Sequence, residues 1–102
     1  MTIRSPKDLI ICPQQIVPIT YNCGEDIEGK LLCFELAPEL INKRIVLINN
    51  VVKTSKIFTL YLKYDSIIID NDINSIFKTD KIFILKGDEL GKAFVLNELY
   101  AN

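Results

Sequence analysis

Lys81-Ile-Phe-Ile-Leu-Lys-Gly-Asp-Glu-Leu-Gly-Lys-Ala-Phe-Val-Leu96 reads as two apolar strands joined by a tight polar loop, Gly87-Asp-Glu-Leu-Gly91. Glycine at each end of the loop offers the backbone freedom that a short chain reversal needs. A related pattern stands earlier, at Lys30-Leu-Leu-Cys-Phe-Glu-Leu-Ala-Pro-Glu-Leu-Ile-Asn-Lys-Arg-Ile-Val-Leu47. Lys30 matches Lys81, Glu39-Leu40 matches Glu89-Leu90, Lys43 matches Lys92, and Val46-Leu47 matches Val95-Leu96. The spacing predicts a mainly β domain built from two fused copies of a hairpin-centred motif. The first copy covers about residues 9–50 and the second about 51–100, with short helical turns at most. Nothing resembling a linker separates the halves, so one domain over residues 1–102 with a shared core is expected.

Working outward, Leu31-Leu-Cys-Phe34 is a continuous apolar run, the pattern of a strand covered on both faces. A helix from Glu35 to Asn50 competes with the strand reading, and Pro38 suits the first turn of such a helix. The frequency of Ile and Val favours strands. From Val51 to Tyr64 the alternation is the cleanest in the chain. Phe58, Leu60, Leu62 and Tyr64 form one set, expected to point inward, and Ile57, Thr59, Tyr61 and Lys63 the other. Gln14 to Tyr21 looks extended but contains Pro18, which cannot donate to a ladder, so an edge strand is expected there. Ser66 to Ile69 reads as a short buried strand and Asp70 to Ser75 as a turn.

Composition narrows the chemistry. There is no histidine. That removes Ser-His-Asp and Cys-His catalysis and His-ligated zinc. With 12 basic and 13 acidic residues the net charge is −1, so no global field draws the chain to nucleic acid or an anionic membrane. The mean hydropathy of +0.23 is high for a small soluble domain. It predicts apolar surface that a partner, a ligand or a second copy in a homodimer would cover. Cys12, Cys23 and Cys33 make an odd count, which argues for free thiols, with a Cys12–Cys23 bridge as the alternative. In the repeat alignment Cys33 stands opposite Ile84, a place for a small buried hydrophobe. The N-terminus has no signal-peptide pattern and no stretch is long and apolar enough for a transmembrane helix, so an intracellular protein is expected.

Few residue clusters suggest a site. Asp70, Asp72 and Asn74 have the opening spacing of a calcium loop, but Ser75 stands where glycine is needed and Lys81 where the closing glutamate belongs. No metal site and no cofactor are expected. Glu25, Asp26 and Glu28 cluster beside Gly24 and Gly29, the surroundings of an exposed loop rather than a catalytic cleft. With no phosphate loop, no Cys-x-x-Cys pair and no nucleophile elbow, the chain reads as a non-enzyme. The strongest candidate is the edge strand, where Ile16, Val17, Ile19 and Tyr21 would meet a protein or peptide partner through unpaired backbone groups. A crevice where the two copies meet is the second place for a partner. The alternative is nucleic-acid binding through Lys53, Lys56, Tyr61 and Lys63, beside Thr59, a stripe able to stack a base and hold phosphates.

Ten lysines stand against two arginines, and isoleucine is the commonest residue. This is the coding habit of an AT-rich genome. Together with the short length and the want of any familiar motif, the chain resembles the small orphan proteins of filamentous viruses that infect hyperthermophilic archaea. The resemblance implies a viral protein of the host cytoplasm or the virion, a virion subunit among the roles open to it. It brings no functional residues with it.

Overall fold

The computed structural model describes residues 1–24, 27–66 and 81–96. Nine strands and one short helix form there: β1 (Thr2–Arg4), β2 (Leu9–Ile11), β3 (Ile16–Asn22), β4 (Leu31–Leu36), α1 (Pro38–Asn42), β5 (Ile45–Leu47), β6 (Val51–Lys53), β7 (Ile57–Tyr64), β8 (Ile82–Ile84) and β9 (Glu89–Val95). The chain is mainly β, as its alternation and β-branched content predict. Three antiparallel sheets result: a four-stranded sheet ordered β1-β9-β4-β6, a three-stranded sheet ordered β3-β7-β5, and the pair β2-β8.

The local reading holds best at β7. Phe58, Leu60, Leu62 and Tyr64 are buried, while Ile57, Thr59, Tyr61 and Lys63 face outward to varying degrees. The inner faces of the two larger sheets meet through Phe34 and Phe58, whose ring centroids lie 5.6 Å apart. Ile3, Leu32, Leu90 and Ala93 join from the four-stranded side, Ile19, Leu60 and Leu62 from the other, in one hydrophobic cluster. A hollow among Ile3, Phe34, Leu47 and Leu62 measures about 10 Å³. That is no more than the space for one water.

The two stretches expected as hairpins do not pair with themselves. β4 and β5 lie in different sheets, and so do β8 and β9. Instead β4 of the first stretch pairs with β9 of the second, from Leu32↔Val95 to Leu36↔Gly91. Ala37 N–H extends that contact by donating to Leu90 O at 2.9 Å. Gly91 is what allows the strands to come so close, because a Cβ there would lie 2.0 Å from Glu35 O. The reversal at Gly87 is real (φ +90°), with Asp88 N–H donating to Leu85 O at 3.0 Å. It sends the chain into a new sheet rather than back along β8.

The helical alternative for Glu35 to Asn50 survives only as α1, five residues with Pro38 in the first turn. Arg44 ends it in the left-handed region (φ 65°). The other corner, at Ile27 to Lys30, is tied down by the buried Thr54, whose hydroxyl donates to Ile27 O and accepts from Lys30 N–H. All three cysteines are free thiols and half-buried. Cys33 is therefore not the buried hydrophobe its alignment with Ile84 implies, since it points to the outer face of β4. The strand expected at Ser66 to Ile69 and the turn at Asp70 to Ser75 lie, Ser66 apart, outside the described residues.

Candidate interaction surface

The three-stranded sheet presents one face to the core and one to solvent. On β3 the parity is set by its pairing with β7, from Ile16↔Lys63 to Asn22↔Ile57. Ile19 stands opposite Leu60, so Val17, Ile19 and Tyr21 share the inward face. Ile19 is 1% exposed. Tyr21 stacks on Phe58 at 5.2 Å between centroids, and its hydroxyl donates to Arg4 O at 2.9 Å. Burial pushes the Tyr21 hydroxyl up to about 12. Of the four residues expected to meet a partner, Val17, Ile19 and Tyr21 thus belong to the core side, and Ile16 alone is on the outer face.

The edge itself is where the proline places it. β3 is an outer strand of its sheet among the described residues. Cys23 N–H donates to Lys56 O at 2.9 Å and Tyr64 N–H to Gln15 O at 3.3 Å, which brackets the ladder. Odd-numbered residues of β3 therefore bond to β7, and Ile16, Pro18, Thr20 and Asn22 turn their backbone groups to the open edge. Pro18 removes one donor from that edge, a device that blunts edge-to-edge pairing while leaving side chains accessible. An incoming strand would find three donors there rather than four.

The outer face beside this edge sets large apolar side chains among polar ones. Ile16 aligns with Lys63, and Lys63 with Val46 on β5. Pro18 aligns with Tyr61, beside which Ile48 N–H donates to Tyr61 O at 2.8 Å. Thr20 and Thr59 share a hydroxyl hydrogen bond of 3.0 Å. Ile16, Val46, Ile48, Ile57 and Tyr61 are between 41% and 52% exposed. Four of them gather around Lys63 and Pro18, while the Thr20–Thr59 pair sets Ile57 apart, so the apolar part of the face lies at the Ile16 end. Sequence reasoning identified Ile16 and Tyr61 on separate grounds, and the register puts them on one surface. Val46 and Ile48 were missed, because nothing in the sequence says that β5 lies beside β7. Ile57 was legible, as a member of the outward set.

The lysine stripe is divided. Tyr61 and Lys63 share this face with Thr59, but Lys53 ends β6 in the other large sheet, and Lys56 lies in the connection between β6 and β7. One hollow of about 400 Å³ runs between Pro38, Glu39 and Lys43 on one side and Phe83, Asp88 and Glu89 on the other. Among the described residues no group of three or more Cys, Asp or Glu is placed to hold a metal ion. Glu28 is exposed; Glu25, Asp26, Asp70, Asp72 and Asn74 lie outside the described residues. No helix among the described residues is long and apolar enough to cross a membrane. No protein-family model, no curated protein and no solved structure matches the chain.

Proposed function

We propose that the chain is a non-enzymatic protein–protein interaction module, with its partner seated on the outer face of the β3-β7-β5 sheet. The observation that carries this reading is the set of half-exposed apolar side chains, Ile16, Val46, Ile48 and Tyr61, grouped around Lys63 and Pro18 beside the edge strand. The partner presents an apolar strand or peptide to Ile16, Val46, Ile48 and Tyr61, and completes its contact with the backbone groups of Ile16, Thr20 and Asn22. The crevice between Pro38–Lys43 and Phe83–Glu89 is a second place on the same molecule for a bound segment, and it fits a duplicated motif whose copies meet there. The lysine-rich, arginine-poor composition supports a viral origin and a place of action in the host cell or the virion.

The test compares wild-type chain with an Ile16→Glu/Ile48→Lys variant as bait in host lysate treated with nuclease. Both positions are exposed, so the variant folds. A protein retained by wild type and lost by the variant is the expected result; identical retention by both refutes the site. The nucleic-acid alternative predicts capture that vanishes with nuclease or added salt and is lost on Tyr61→Ala.

A further inference from the structure

Leu31-Leu-Cys-Phe34 has the composition of a strand covered on both faces, yet the fold covers only one. Leu32 and Phe34 are buried, whereas Leu31 is 40% exposed and Cys33 is half-buried on the outer side. The register continues this outer face sideways. Cys33 stands between Val51 on β6 and Phe94 on β9, and Leu96 N–H donates to Leu31 O at 2.9 Å. Val51 and Phe94 are 47% and 48% exposed. The apolar centre is bounded by charge at both ends. Lys53 aligns with Leu31 at one end, and Glu35 aligns with Lys92 at the other. At the Glu35 end the surface dips into a hollow of about 390 Å³ rimmed by Glu35, Pro38, Glu89, Lys92 and Phe94.

We propose that a second copy of the chain covers this face. A two-fold axis lying between the sheets and running across the strands reverses the strand direction of one copy relative to the other. It lays β6 over β6 and β4 over β4, and so brings Lys53 of each copy to the level of Glu35 of the other, one strand aside. The apolar centres meet in between. A second copy is the occupant that the face itself specifies, because it carries the Lys53 cation at one end, the Glu35 carboxylate beside Lys92 at the other and an apolar middle, so that reversal sets Lys53 against Glu35. Four strands and five residues span roughly 19 by 17 Å, small for an interface, so association is reversible and depends on concentration.

Sedimentation equilibrium of the intact chain tests this. The weight-average mass is expected to rise from the monomer value of 11.7 kDa toward twice that value with increasing concentration. Lys53→Glu and Glu35→Lys each bring like charges together across the axis and weaken association by about tenfold or more. An equimolar mixture of the two variants restores it, since each opposite pair is then re-formed. Circular dichroism of each variant matches wild type, because both side chains are exposed. A wild-type mass fixed at the monomer value, a single variant that associates like wild type, or a mixture that stays monomeric overturns the proposal. Ile48→Lys, on the other large sheet, leaves association unchanged; its loss there would move the interface to that sheet and refute the assignment.

Discussion

Gly91→Ala tests the joint between β4 and β9. Gly91 pairs with Ile3 on one side and Leu36 on the other, so its strand is gripped from both edges. An added Cβ would meet Glu35 O at 2.0 Å, Glu35 C at 2.9 Å and Leu36 Cα at 3.0 Å, all of them backbone atoms of β4. Carbon and oxygen settle at about 3.3–3.6 Å even in their closest favourable contacts. The strands must therefore separate by more than ~1 Å at that point, and no side-chain rotation relieves it. Losing two or three ladder hydrogen bonds at about 1 kcal/mol each puts the cost near 3 kcal/mol, a large part of the roughly 5–15 kcal/mol that holds a domain folded. With a urea slope of about 1.5 kcal/mol/M, the unfolding midpoint falls by about 2 M. Gly87→Ala is the control. Gly87 has φ +90° but nothing within 4 Å of a new Cβ, so only the backbone conformation is penalised, by about 1–2 kcal/mol. If Gly91→Ala shifts the midpoint no more than Gly87→Ala does, the close β4–β9 approach is not what holds this sheet together.

Three other outcomes follow from the same structure. Ile16→Glu leaves the chain folded, whereas Ile19→Glu places a carboxylate in the core and abolishes the cooperative melt by circular dichroism; equal melts would refute the parity of β3. Thr54→Val keeps the shape of a buried side chain but removes the hydroxyl shared by Ile27 O and Lys30 N–H, which still bond each other at 3.1 Å, so the cost in urea unfolding is about 0.5–1.5 kcal/mol. Tyr21 has its folded-state value raised from 10.0 to about 12 by burial, so its contribution to stability is fully present below pH 10 and is lost as pH rises toward 12. Tyr21→Phe removes that part of the alkaline loss, and an unchanged slope of stability against pH between 10 and 12 would contradict the assignment.

Local pattern was informative wherever the physics is local. Period-two alternation identified the inward and outward sets of β7, because successive side chains on a strand must point to opposite faces. Pro18 identified an edge, because a residue without an N–H belongs where that donor is not needed. Partner choice was not legible in the same way. The loop Gly87–Gly91 announces a reversal, and a reversal between two apolar runs resembles a hairpin. Yet β9 gains more by lying between β1 and β4, with Gly91 allowing the closest approach, than by turning back on the three residues of β8. The same limit hid Val46 and Ile48, whose exposure depends on β5 docking beside β7.

Sequence alone thus determined that the chain is mainly β, which strand has a clean inner face, that an edge lies at Pro18, and that apolar area exceeds what a small core absorbs. Those are properties of single segments and of composition. Only the tertiary structure decided that β4 joins β9, that Ile19 and Tyr21 face the core while Ile16 faces out with Tyr61, and that the excess apolar area lies on the outer faces of two sheets. Antiparallel pairing is non-local. Each strand offers the same backbone groups to any neighbour, and the selection among neighbours is made by which arrangement of all the strands buries Leu32, Phe34, Leu60 and Leu62 together.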